Sequence, residues 1–456
     1  IALDDNSTAA GTWCGSGLER VGASAQLLTT TLLTITACIA LDADRDFILG
    51  SNGSTNYIYC VVYRKSDNTF GSVTTIRATS TNYATAIKSA TDQILVVSEA
   101  ATAFEAVVIS VSGVTPTVNA AATATLSGNI NTAFLPVGSL IAVGTSWIIS
   151  YILDTPAAQI REITISGTTP TISAATVLDG TADGLIVAGD STHVIAVSTA
   201  TTHLYTKPYT IGGLAAGTGT DTTVATNMSL RFLAPLGSRW AVGYSDSGGG
   251  TTTMGGVVSL SGTTSTISTA TVLSGTSGYL DAFVVGSNKV LFLSNLSSNN
   301  ANILTDSAGT ASAGTAITLS SQTARACLYA SGTDVAVQEG TTTYLAHMVD
   351  CSGASPVLTK TIANASISTT LTSAFVASNS VLTRSAVALY GTAYARTIVG
   401  NAGSQVFAAE VSGGVFNELP NKRATFCGTT NYRGTADSNR WISDGATVIT
   451  KVECVA

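Results

Sequence analysis

Apolar positions in this chain fall in short runs rich in Val, Ile, Leu and Ala, separated by Ser, Thr, Gly and Asn. The runs repeat in near-identical wording. Residues 257–275 read VVSLSGTTSTISTATVLSG and residues 162–180 read EITISGTTPTISAATVLDG, 95 residues earlier. Each has the pattern of two strands about a bend, with β-branched residues on both sides and Gly262 or Gly167 at the turn. Comparable turns centre on Asp67, Gly113, Gly167, Gly212, Gly262, Gly309, Gly353 and Gly413, at spacings of 44 to 60 residues. A second marker keeps the same beat: a polar turn followed by a short apolar strand, as in DRDFILGS, TDQILVVS, DSTHVIAVS, GSRWAVGYS, GSNKVLFLS and GTDVAVQ. One period therefore reads strand, turn, strand, loop, strand, glycine turn, strand.

Four antiparallel strands in such a period predict an all-β chain folded as a closed β-propeller of about eight (seven to nine) four-stranded blades. A parallel β-helix would repeat on a much shorter unit, and tandem sandwiches on a longer one. Residues 16–28, SGLERVGASAQLL, match SGTTSTISTATVL at 261–273, so the N-terminal segment is expected to be a lone outer strand. Residues 439–456 resemble inner strands of a blade that lacks its last one. The ring is thus expected to close by the N-terminal strand completing the C-terminal blade, which removes two exposed sheet edges. The domain reading is a single propeller over 1–456, with 1–28 as closing strand, 29–418 as repeated blades and 419–456 as the last blade.

Composition narrows the function classes. Only 10% of residues are charged while 45% are hydrophobic, which is not a disordered composition. Lys and Arg total 20 against 27 acids, with no basic cluster, so no nucleic-acid partner is expected. No apolar run is long enough for a membrane helix, and no membrane insertion is expected. The first residue is Ile1, not methionine, and no leader pattern follows, so the expectation is a cleaved leader or missing upstream residues. Seven cysteines stand too far apart for CxxC metal or redox pairs. Cys14 could bridge to Cys427 or Cys454 across the closing strand, and the similar spacings of Cys38 to Cys60 and Cys327 to Cys351 suggest cross-strand disulfides. Buried thiols are the other reading.

Chemistry-bearing residues are sparse. His193, His203 and His347 lie in different repeats without a companion at ligand spacing and read as surface or strand histidines. Asp42, Asp44 and Asp46 alternate as in a calcium loop, but the glycine and distal Glu of such a loop are absent, so a polar turn is favoured. YSDSGGGTTT at 244–253 is similar to the Asp-box of sialidase-type propellers, yet Tyr244 stands where that motif has serine and no aromatic closes it. Trp147, Trp240 and Trp441 follow equivalent turns and are expected to pack between blades, stacking on a sugar being the alternative. Sequons at Asn6, Asn52, Asn227, Asn295 and Asn364 match chance in so Ser/Thr-rich a chain. No GxSxG, P-loop or HExxH occurs, and no catalytic residue, cofactor or metal is expected.

Blades built on VSG and TTPTI-type hairpins, a low-charge Gly/Ala/Ser/Thr-rich composition and a non-methionine start together resemble the repeat β-propellers of tailed-bacteriophage virions, of tail-fibre, tail-spike or head-decoration type. That resemblance implies a non-enzymatic protein of the virion surface, extracellular, present in multiple copies beside other virion proteins and binding host-surface polysaccharide or decorating the particle. It transfers no functional residue. The alternatives are a phage polysaccharide hydrolase or lyase, which needs converging acids or a Tyr/His/Arg group, and a secreted cellular adhesin.

Overall fold

A computed structural model describes most of residues 34–364, short loop segments excepted, and beyond them 18–20, 25–28, 373–376, 394–402, 405–413, 441–443 and 452–454. The described residues contain strands and no helix. They form eight antiparallel sheets of four or five strands and one two-stranded ribbon. Seven sheets follow one another along the chain, at 34–77, 83–125, 140–179, 184–223, 228–274, 279–320 and 324–364. The all-β expectation and the repeated unit of strand, turn, strand, loop, strand, turn, strand hold in each.

The tight turns follow from glycine. Ser166 pairs with Thr169, Ser112 with Thr115 and Ser261 with Thr264, leaving two-residue loops at Gly167, Gly113 and Gly262. Their φ values of +64°, +59° and +59° lie in the left-handed region, which suits a first loop residue without Cβ.

Second strands such as Gln93–Ala100, QILVVSEA, are nearly continuous apolar runs because both faces are covered. Ile94 and Val96 join a core with Phe47, Leu49, Cys60 and Val62 of the preceding sheet. Leu95 and Val97 join another with Ile149, Tyr151 and Ile163 of the following one. The same face-to-face packing links 140–179 to 184–223, 184–223 to 228–274, 228–274 to 279–320, and 279–320 to 324–364. The core therefore lies between sheets. Trp240 packs in the cluster joining 184–223 to 228–274, and Trp147 packs against the cluster joining 83–125 to 140–179, as expected of both. First strands of successive sheets touch in order from Thr34–Ala40 to Ala324–Ser331, and Thr34–Ala40 also touches Ser373–Val376 and Tyr394–Ala402.

Close backbone approach at the outer rim fixes three more glycines. A Cβ on Gly71, Gly217 or Gly314 would lie 2.1 Å from a carbonyl oxygen of the next sheet, that of Val114, Thr263 or Ala354. At Gly217 the approach is reinforced by the Thr218 N–H donating to Thr263 O at 2.8 Å. Gly217→Ala is expected to cost about 1–3 kcal/mol through this overlap. A denaturation midpoint unchanged from wild type would refute the contact.

The N-terminal segment is an outer strand, as expected, but of a different sheet. Leu18–Arg20 and Ala25–Leu28 both pair with Gln405–Gly413, which pairs with Tyr394–Ala402 and through it with Ser373–Val376. They stand where 264–267 and 271–274 stand in the 228–274 sheet. Gln405–Gly413 is a third strand whose outer side the N-terminal pieces fill, whereas Trp441–Ser443 and Val452–Cys454, among the described residues, pair with each other. This corrects the expected partner, residues 419–456.

Two disulfide expectations are also corrected. Cys38 pairs with Ile48 and Leu49 with Cys60, so a whole strand separates the two cysteines. Two strand spacings, about 9.5 Å, exceed the reach of a disulfide. Cys60 is a buried free thiol. Cys327 pairs with Val337 and that residue with His347, which leaves Cys351 two strands away and farther along the chain. The Cys351 thiol instead donates to Val349 O. Cys14 and Cys427 lie outside the described residues, as does the side chain of Cys454, and with them any bridge across the closing strand. Burial pushes the Cys60 thiol up to about 12. The folded chain should therefore leave Cys60 unmodified by iodoacetamide at pH 8, and unfolding should expose it; mass spectrometry of the alkylated peptide checks both.

Candidate functional site

Alternating strand direction gives every sheet two different ends. One carries the turns from first to second and from third to fourth strand. The other carries the loop from second to third strand and the link to the next sheet.

The turn end is laced across sheets from one recurrent position, the first residue of the second strand. Arg45 donates to Gly113 O of the next sheet at 3.0 Å, to the Asp92 carboxylate of that sheet, and to Asp42 beside it. Lys88 returns the contact by donating to Leu41 O. Ser146 donates to Glu162 at 2.5 Å, and the Glu162 carboxylate accepts the Gly212 and Gly213 N–H groups of the next sheet at 2.9 and 2.8 Å. Arg239 pairs with Asp306 at 3.0 Å, and Asp306 also accepts the Gly309 N–H at 2.7 Å. Lys289 donates to the carbonyls of Ser352 and Gly353 at 2.5 and 2.7 Å. These bonds tie the glycine turn of one sheet to the strand start of its neighbour. The polar residue just inside DRDF, TSWI, SRWA and SNKV was their visible trace.

The aspartates of LDADRDF do not converge. Asp42 accepts from the N–H groups of Asp44 and Arg45 and from the Arg45 side chain, Asp44 binds Ser66, and Asp46 is wholly buried. Burial raises the Asp42 pKa, but the Arg45 hydrogen bond and those backbone N–H groups hold it below the usual aspartate value. They build a turn. His193 sits among Asp190 and Thr192 in the equivalent turn of a later sheet. His347 lies in mid-strand between Val337 and Thr361, its side chain outside the described residues. Tyr244 and Asp246 of the box-like stretch end a second strand, and 247–251 are outside the described residues. The sequon residues Asn52, Asn295 and Asn364 fall at the loop end by topology, and Asn6 and Asn227 lie outside the described residues.

The loop end differs in kind. Its connections vary from 101–102 and 201–202 to 126–139, LSGNINTAFLPVGS, and are rich in Ser, Thr, Asn and Gly. One exposed cluster of rings and charges stands there, at the start of a third strand. His203 Nδ1 donates to Asp221 at 2.9 Å, and the His203 ring stacks on Tyr205 with centroids 5.6 Å apart and planes at 19°. Two residues farther on, the Lys207 ammonium lies 5.9 Å from the Tyr209 ring centroid. Such a group can donate and accept hydrogen bonds and offer a flat surface. Sequence reasoning placed His203 on a strand and did not find its partner, because Asp221 is 18 residues distant and adjacent only through pairing of Tyr205 with Asp221.

No protein-family model and no curated protein sequence matches the chain. Among solved structures it is similar to Sqt1 of Saccharomyces cerevisiae, with a TM-score of 0.55 and 8% identity over 87% of this chain and 99% of that one. It is likewise similar to Sqt1 of Chaetomium thermophilum bound to the N-terminus of the ribosomal protein L10, with a TM-score of 0.53 and 13% identity over 84% of this chain and 98% of that one. At these identities the likeness concerns the fold alone, and the chain has the fold of a repeat β-propeller.

Proposed function

We propose that the chain is a closed, eight-bladed, non-enzymatic propeller of a virion surface, which binds host-surface polysaccharide through its loop end. It would act in many copies beside other virion proteins. The observation that carries this reading is the contrast between the two ends. At the turn end, Arg45, Glu162, Arg239 and Lys289 tie neighbouring sheets together. The loop end presents connections of unequal length whose Ser, Thr and Asn side chains are suited to hydrogen-bonding sugar hydroxyls. Loops can vary without disturbing cores that lie between sheets. Weak contacts of this sort gain avidity when many copies sit on one particle. Contact of Thr34–Ala40 with Ser373–Val376 and Tyr394–Ala402 supports closure of the ring.

The test is to incubate the purified chain with host cells and with their extracted polysaccharide, and to assay soluble fragments in the same tube. Saturable binding without fragments is expected. Fragments would make the chain a polysaccharide hydrolase or lyase, and neither binding nor fragments would leave a decoration role.

A further inference from the structure

We infer that His203, Tyr205 and Asp221, with Lys207 beside them, form a saccharide subsite that seats a pyranose ring of that polysaccharide; the inference rests on the glycan-binding reading above. The four residues lie on one face of the 184–223 sheet. Tyr205 and Asp221 are directly paired across strands, and His203 and Lys207 stand two residues to either side of Tyr205. Side-chain exposure is 37% for His203 and 51% for Asp221, so solvent reaches both.

Two other sheets form without a charge at the outer-strand position. The positions of Tyr205 and Asp221 are held by Gln159 and Val177 in the 140–179 sheet and by Met254 and Val272 in the 228–274 sheet. Val177 and Val272 are 58% and 52% exposed, so the outer-strand position of Asp221 is open to solvent, whereas Gln159 is buried and Met254 packs against a core cluster. An aspartate at so open a position, bonded to a histidine that stacks on a tyrosine, therefore requires an explanation other than packing.

Their chemistry fits a sugar. Stacked imidazole and phenol rings give a flat apolar surface for the C–H face of a pyranose. Asp221 keeps a second carboxylate oxygen as an acceptor for hydroxyls. The bond from Nδ1 to Asp221 fixes the imidazole and leaves Nε2 to meet a further hydroxyl. Lys207 adds a donor at the margin.

Three histidines in the whole chain make the site readable by imidazole NMR. The probes are methyl β-glucoside, methyl β-galactoside and methyl β-N-acetylglucosaminide, together with immobilised host polysaccharide. At least one glycoside should shift the His203 signals, assigned by their loss in His203→Gln, while those of His193 and His347 stay in place. Asp221→Val, which installs the residue of the neighbouring sheets, and His203→Gln should each weaken polysaccharide binding at least tenfold with unchanged circular dichroism. If wild type and both variants bind the polysaccharide equally and His203 does not shift, the subsite is refuted while the glycan-binding reading stands. If wild type binds no polysaccharide and no glycoside moves His203, both fall.

Discussion

Phe104→Ala is expected to destabilise the chain by about 3–5 kcal/mol, the usual cost of emptying an aromatic site that cannot collapse. Phe104 is wholly buried and its ring stacks on Tyr151 of the next sheet, centroids 5.4 Å apart and planes at 28°. Around the pair lie Leu95, Val97 and Ala106 from one sheet and Leu140, Ile149 and Ile163 from the other. Tyr151 is itself pinned, its hydroxyl donating to Gln159 at 2.8 Å and accepting from Arg161 at 2.7 Å. Arg161 in turn donates to Thr125 O of the preceding sheet. A site braced from both sheets has little freedom to close over a void. Phe104→Leu, which keeps most of the volume, should lose under about 1.5 kcal/mol. Urea unfolding measures both, and a loss below about 1 kcal/mol for the alanine variant would contradict the face-to-face packing.

The second large effect is expected at Glu162. Its carboxylate holds Ser146 within its own sheet and the Gly212 and Gly213 N–H groups of the next, so Glu162→Ala removes one acceptor from three donors. Hydrogen bonds to a charged group contribute about 1.5–3 kcal/mol, and the variant should lose an amount in that range. The effect should depend on pH. Burial raises the pKa of Glu162, but the donors from Ser146, Gly212 and Gly213 outweigh it and hold the group below its ordinary 4.5. A carboxylate whose pKa falls on folding contributes stability that is present above the unfolded value and disappears as pH drops through the folded one. The gap between wild type and Glu162→Ala should therefore be full at pH 7 and narrow steadily below about pH 4.5. An identical gap at pH 7 and pH 3 would exclude the charged contact.

The parts of the fold that were legible in the sequence are those fixed by local chemistry. Gly113, Gly167 and Gly262 announced their hairpins because a two-residue loop needs a left-handed first residue. QILVVS and its counterparts announced strands covered on both faces. SGLERVGASAQLL matched an outer strand even in its break, since 18–20 and 25–28 repeat the two pieces at 264–267 and 271–274. What was not legible depends on distance across the sheet. Similar spacings of Cys38 to Cys60 and Cys327 to Cys351, 22 and 24 residues, suggested pairs, yet residues so far apart in such a meander sit two strands apart, with a strand between them. The same geometry hid the contact of His203 with Asp221, and the ties from Arg45, Arg239 and Lys289 reach a neighbouring sheet that no local pattern specifies. The partner of the N-terminal strand was misjudged for a related reason: the glycine turn at Gly413 implied that the strand before it had a fourth strand of its own, so the N-terminal segment was assigned to 419–456.

That partner has a consequence for how the chain is made. Each sheet from 34–77 to 324–364 draws its strands from one continuous stretch, so it can assemble soon after that stretch leaves the ribosome. Leu18–Arg20 and Ala25–Leu28 have no such option. They must wait for Gln405–Gly413, the pairing of greatest sequence separation among the described strands, and long-range pairing of this kind is slow. Until it forms, the strand they will cover presents a bare edge able to accept the N-terminal segment of a second chain. Where many copies are synthesised together, the same join that completes one molecule is thus also the place at which two can exchange ends.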